Sequence, residues 1–99
     1  MLNITDLREE NVLKIALDGR LDTTTAPELE ALLGEKLTDA TELVFDLEKL
    51  EYISSAGLRV LLSAQKQMNR QGEMKLRGVS DTIMEIFEIT GFCDILTFE

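Results

Sequence analysis

Histidine and tryptophan are missing from this sequence, and cysteine, proline and tyrosine occur once each. Without histidine, neither a Ser-His nor a Cys-His nucleophilic pair can be assembled, and the common zinc ligand sets lose a principal member. With Cys93 alone, no intramolecular disulfide can form, which fits a reducing compartment. Phe92 beside it and Ile95 near it predict a buried, inert thiol. Basic residues are scarce: 10 Lys and Arg stand against 19 Asp and Glu, for a formal net charge of -9. Nucleic acid and anionic lipid both require clustered cations, so neither is an expected partner. No apolar run approaches the ~18 residues that span a bilayer. The start, MLNITDLREE, lacks the basic and apolar parts of a signal peptide. A soluble, cytoplasmic protein is the expectation. No Gly-rich phosphate loop of the Walker or Rossmann type is present, and no cofactor is expected.

What is there suffices for one domain over residues 1–99. Hydrophobic residues make up 44% of the chain, near the globular average, so a core of Leu, Ile, Val and Met is predicted rather than disorder. A first strand runs from Leu2 to about Arg8. A second covers Val12 to Leu17, where Leu13, Ile15 and Leu17 alternate with Val12, Lys14 and Ala16. The polar break at Glu9–Asn11 predicts a hairpin, hence an antiparallel pair. A polar stretch, Asp18 to Thr24, then leads to a helix. Thr25 reads as its N-cap and Glu28 completes a capping box, with Pro27 tolerated in the first turn. Leu29, Leu32, Leu33 and Leu37 give that helix its apolar stripe.

Leu43-Val44-Phe45 reads as a short strand buried on both faces, and Asp46 to Tyr52 as its exit loop, with Asp46 closing the strand. A second helix is predicted over roughly Ala56–Arg70, with Leu58, Leu61, Leu62 and Met68 inward and Arg59, Gln67, Asn69 and Arg70 outward. Met74–Arg77 reads as a strand. Ser80 caps a third helix with Ile83, Ile86, Phe87 and Thr90 on one face, and Gly91 is its left-handed C-cap with Phe92 packing beside it. A last short strand is placed at Ile95–Phe98. Helices alternating with strands predict an α/β fold with a mixed, mostly parallel sheet, an N-terminal antiparallel hairpin and three or four helices.

The segment from Asp46 to Leu58 carries the chemistry. A buried strand ends, the chain turns, and a helix begins at small polar residues, where open α/β sheets place their ligand sites. Either Ser54 or Ser55 can serve simply as the N-cap, with its hydroxyl accepting from a free backbone N–H. Ala56 and Gly57 then keep the backbone close to its neighbours. The same helix end also suits a phosphoserine, because free N–H groups and the positive end of the dipole favour an anion there. Asp22 and Thr23 to Thr25 read as the cap of the first helix, and Arg59 as a solvated residue placed to meet an incoming acidic group.

Asp46, Tyr52, Ile53 and Ser54-Ser55-Ala56-Gly57-Leu58 together resemble the signature of STAS domains, the family of sulfate-transporter tails and bacterial anti-sigma factor antagonists. Gly19-Arg20-Leu21-Asp22, followed by Thr25-Ala26, resembles the family's loop into the first helix. Ser80 to Phe92 resembles its third landmark. The resemblance spans nearly the whole chain. It implies a phosphoprotein and switch rather than an enzyme. A partner that is both anti-sigma factor and serine kinase would be bound, the sigma factor freed, binding ended by phosphorylation of Ser55, and the protein restored by a serine phosphatase. It also implies a partner surface of Asp22, Thr23, Thr24, Ser54, Ser55, Ala56, Gly57 and Arg59. Two positions depart from the usual pattern. Ser54 stands where the family has Asp, and Ala56 where it has a second hydroxyl, which makes Ser54 a second candidate phosphosite. They also leave open an unregulated STAS docking subunit of a transporter or lipid-trafficking assembly.

Overall fold

Period-two burial sets the first hairpin. In the computed structural model, which describes residues Met1–Glu99, β1 (Leu2–Glu9) pairs antiparallel with β2 (Val12–Leu21) from Glu9↔Val12 to Leu2↔Gly19. The turn is only Glu10-Asn11, and Glu10 takes the left-handed conformation (φ 55°) that so tight a reversal requires. Leu13, Ile15 and Leu17 are buried, while Lys14 and Asp18 face solvent.

From β2 the chain makes two crossovers. Helix α1 (Ala26–Lys36) leads to β3 (Glu42–Ile53), and α2 (Ser55–Gln71) leads to β4 (Glu73–Arg77). Both crossovers join parallel neighbours in a sheet of order β1-β2-β3-β4. Two right-handed crossovers stepping in one direction place both helices on the same face of a sheet. Helix α3 (Asp81–Thr90) packs against β3, and a 3-10 turn follows at Phe92–Asp94. The core is one continuous cluster between sheet and helices: Leu13, Ile15, Phe45, Leu61, Met68 and Phe87 are almost fully covered. The opposite sheet face presents Thr5, Leu7 and Lys14.

The mixed sheet and three helices match the expected fold, but several local expectations are corrected. The polar stretch expected at Asp18–Thr24 is strand as far as Leu21. The loop expected at Asp46–Tyr52 is strand as well, so Asp46 lies within β3 instead of closing it. The two extensions pair with each other, as in Arg20↔Tyr52 and Leu21↔Ile53, with register shifts between Ala16 and Asp18 and between Gly19 and Arg20. These irregularities break the period-two signal while Leu47, Leu50 and Ile53 still reach the core. Asp46 stabilises the irregular stretch by accepting the Glu48 N–H at 3.1 Å.

Leu62 is half-buried rather than inward; the inner face of α2 is Leu58, Leu61, Ala64, Gln65 and Met68. Thr90 is exposed, its hydroxyl donating back to the Ile86 carbonyl at 2.8 Å. The strand expected at Ile95–Phe98 is a single bridge, Leu76↔Phe98, where Leu76 N–H donates to Thr97 O and Glu99 N–H to Leu76 O. Phe98 is held there by its ring, 5.7 Å from that of Phe87.

Candidate functional site

The start of α2 is fixed by the strand behind it. Ile53 is buried at the end of β3, and the Ser54 N–H donates to the Leu21 carbonyl at 2.9 Å, tying the helix start to the end of β2. Ser54 is extended (φ -95°, ψ 175°), and its Oγ accepts the Gly57 N–H at 3.3 Å. That is an N-cap in geometry and in chemistry. Ser54 O accepts from Leu58 N–H, so the first helical bond also begins there. Gly57 is buried, and a Cβ on it would lie 2.7 Å from Leu21 Cγ and 2.9 Å from Ile53 Cγ1. Glycine is therefore required by close packing of the helix on the two strand ends.

With Ser54 in the cap, Ser55 becomes the first helical residue. It is exposed, and its hydroxyl makes no hydrogen bond within the protein. The sequence left open which serine caps; the structure assigns that role to Ser54. The N–H groups of Ser55 and Ala56 remain at the open end of the helix. No acid occupies the first turn of α2, whereas α1 has Glu28 and α3 has Asp81 there. Arg59, four residues from Ser55, is exposed and forms no ion pair.

The loop between β2 and α1 lies alongside. The capping box expected from Thr25 and Glu28 does not form: Thr25 is already helical in conformation and makes no side-chain cap. Asp22 does this work, its Oδ1 accepting from the N–H groups of Thr24 at 3.0 Å and Thr25 at 3.1 Å and from the Thr24 hydroxyl at 2.8 Å. The buried Thr25 hydroxyl donates to Arg20 O and accepts from Asp22 N–H, closing the loop. The Thr24 hydroxyl, with the two N–H groups, holds the Asp22 carboxyl below the usual carboxylate range, against the opposing effect of partial burial. Thr23 meets Ala56 and Arg59 across a hollow of about 220 Å³ between α1 and α2.

Thr23, Ala56 and Arg59 are thus brought together, Ser54 and Gly57 hold the backbone beneath, and Ser55 stands exposed at the helix start. Asp22 and Thr24 shape the loop rather than line the hollow. The sequence missed the pair Arg20 and Tyr52: the guanidinium lies 4.4 Å from the ring centroid, and Arg20 also stands 3.9 Å from Asp22 Oδ2. Neither residue carries a sequence signal for this contact, which depends on the register of the strand extensions. Cys93 is only half-buried; desolvation nonetheless pushes its thiol upward, away from a nucleophilic thiolate. No group of three or more Cys, Asp or Glu side chains comes together as a metal site. No helix is long and apolar enough to cross a membrane.

The STAS domain family model matches residues 3–99. The chain is a STAS domain. Over 97 residues it is 35% identical to the anti-sigma-B factor antagonist of Staphylococcus aureus, covering 96% of this chain and 90% of that protein. Solved structures share its fold. The anti-sigma factor antagonist of Mycobacterium paratuberculosis superposes with a TM-score of 0.89 at 21% identity, over 99% of this STAS domain and 85% of that chain. The Bacillus protein SpoIIAA superposes in its unphosphorylated form (TM-score 0.77, 17% identity, 100% and 87% covered) and in its phosphorylated form (TM-score 0.75, 18% identity, 100% and 91% covered).

Proposed function

We propose that this STAS domain is an anti-sigma factor antagonist whose partner binding is switched off by phosphorylation of Ser55. The observation that carries the reading is the unengaged Ser55 hydroxyl at the only one of the three helix starts without an acid in its first turn. A phosphate there adds about -1.5 to -2 charge. The Ser55 and Ala56 N–H groups and the helix dipole favour that charge, and Arg59 lies one turn on, within reach of an i,i+4 pair. The domain therefore accommodates the phosphate, while a partner seated over Thr23, Ala56 and Arg59 meets its bulk and must desolvate it. Ser54 is the weaker phosphosite, because its Oγ is already engaged by the Gly57 N–H, whereas the Ser55 hydroxyl is free.

The name of the Staphylococcus aureus relative supports an anti-sigma factor as the partner, and the phosphorylated form of SpoIIAA supports phosphate as the switch. The net charge of -9 favours a basic docking surface on that partner. A kinase activity in the anti-sigma factor, a serine phosphatase and a cytoplasmic setting complete the reading.

The test is phosphosite mapping by mass spectrometry after incubation with ATP and the anti-sigma factor of the same organism. One phosphate on Ser55, absent from Ser55→Ala, is expected, together with loss of complex formation by Ser55→Asp. Phosphate on Ser54 alone moves the site. No phosphate on either residue, with Ser55→Asp binding as well as the wild type, replaces the switch with an unregulated docking subunit.

A further inference from the structure

The sheet has two edges, β1 and β4, and they are finished differently. Along β1, Asp6 reaches over to Lys36 of α1, and Arg8 to Asp39 at 2.9 Å. Charges held this way are a common guard against the addition of a further strand. Along β4, the C-terminal segment covers one residue only. The Leu76 N–H donates to Thr97 O at 2.9 Å, and the Glu99 N–H to Leu76 O at 2.8 Å.

Two residues back, Met74 has no such cover. Successive residues of a paired strand turn their backbone groups to opposite sides. The Glu73 N–H faces inward, donating to Thr41 O at 3.0 Å, and Leu76 faces outward, so Met74 faces outward too. No turn, tail or side-chain hydrogen bond reaches its N–H or its C=O, although the residue is only 2% exposed. A hollow of about 210 Å³ opens at this point, between Met74 and Lys75 of β4, Gln65 and Asn69 of α2, and Thr97. Gln65 is buried as well, at 6% exposed. Its Nε2 donates to Asn69 Oδ1 at 2.9 Å, and its Oε1 is the one buried side-chain polar atom without a hydrogen-bond partner in the protein. A buried polar group left unpaired costs stability, so three of them around one hollow require an explanation.

We propose that this hollow docks an extended peptide segment of a partner protein, added as a short strand beside Met74 and carrying an Asn or Gln side chain. The unpaired groups specify that occupant. The Met74 N–H needs an acceptor and its C=O a donor, and an added strand supplies both. The residue beside Met74 on such a strand turns its side chain to the helix side of the sheet, as Phe98 beside Leu76 turns its ring to Phe87. There it meets Gln65, whose Oε1 needs a donor. Gln65 brings no charge to compensate a buried cation, so the donor is neutral, and a carboxamide provides it. The Gln65 amide is held only by exposed Asn69, which leaves its broad terminal torsion free to turn the oxygen into the hollow. Ser55 takes no part, so the site does not depend on the phosphorylation reading.

The experiment is a ¹H–¹⁵N NMR titration of the full chain with two blocked tripeptides of identical backbone, acetyl-Gly-Asn-Gly-amide and acetyl-Gly-Leu-Gly-amide. The Asn peptide shifts the Met74 backbone and Gln65 side-chain signals saturably, with a Kd at least about fivefold lower than that of the Leu peptide. Gln65→Met removes the unpaired oxygen. It raises the Tm of the free chain by about 4 °C or more and abolishes the preference for Asn over Leu. Ser55→Asp binds the Asn peptide as the wild type does. No saturable shift at Met74 up to roughly 10 mM Asn peptide, or equal Kd for the two peptides on the wild type, overturns the site and leaves the Ser55 switch standing. A lower Tm for Gln65→Met shows that Oε1 is already satisfied in the free chain and overturns it too.

Discussion

Helices α2 and α3 begin alike and differ in one residue that matters. Each is capped by a serine in extended conformation, Ser54 and Ser80, whose Oγ accepts the N–H three residues on at 3.3 Å. After the cap, α3 has Asp81, a fixed negative charge at the positive end of the dipole, and α2 has Ser55. In a chain with 19 acidic residues, the α2 start is left neutral. The difference separates a helix start that is complete as translated from one that a covalent modification can complete. Their settings differ too: α2 is pressed through Gly57 onto Leu21 and Ile53, so its first turn has little freedom to move.

The comparison can be broken most severely at the packing beneath α2. Leu61→Ala, at a fully buried position, should cost about 2–5 kcal/mol in denaturant unfolding, and half-buried Leu62→Ala clearly less. Gly57→Ala should cost about 1–3 kcal/mol, because neither Leu21 nor Ile53 can withdraw from the core. Removing the caps should reveal the likeness: Ser54→Ala and Ser80→Ala should each lose about 1 kcal/mol, and unequal losses would show that the Leu21 tether changes the value of the α2 cap. Exchanging the charges sharpens the contrast. Asp81→Asn should destabilise by about 0.3–1 kcal/mol, whereas Ser55→Asp should stabilise by a similar amount while ending partner binding. A collapsed melt for Ser55→Asp would contradict it.

The smallest effect concerns the neighbouring loop. The folded pKa of Asp22 is lowered, chiefly by the Thr24 hydroxyl. Its stabilising contribution should be complete above the ordinary carboxylate pKa of about 4 and disappear as pH falls through the lowered folded value. Acid titration of wild type against Asp22→Asn, which has no such carboxylate, should show the difference only below that point.

The parts of the fold legible in the sequence are those where one interaction dominates. The Glu10-Asn11 hairpin, the Ser80 cap and the left-handed Gly91 (φ 81°) were readable because alternation, capping and glycine each act within a few residues. The extensions of β2 and β3 were not, because their regularity comes from pairing with each other across irregular register, while Arg20, Glu48, Lys49 and Tyr52 point to solvent. The same contrast holds at the site. Ser54-Ser55 at a helix start was legible, yet which serine caps depends on Leu21 lying within reach of the Ser54 N–H, a long-range fact. The α1 cap was assigned to Thr25 because its spacing to Glu28 fits a capping box. Asp22 takes the role because Thr25 is drawn into the core, its hydroxyl bonded to Arg20 O.

The bond from Ser54 N–H to Leu21 O has a consequence for timing. Ser55, the proposed phosphosite, stands next to a residue anchored to the sheet, so on that reading no segment has to unfold or reorganise before a partner senses the modification. A response built this way has no slow conformational phase of its own. If the proposed switch operates, its rise would follow the rate of the enzyme that adds the phosphate, its decay the rate of the one that removes it, and its memory the lifetime of the ester bond.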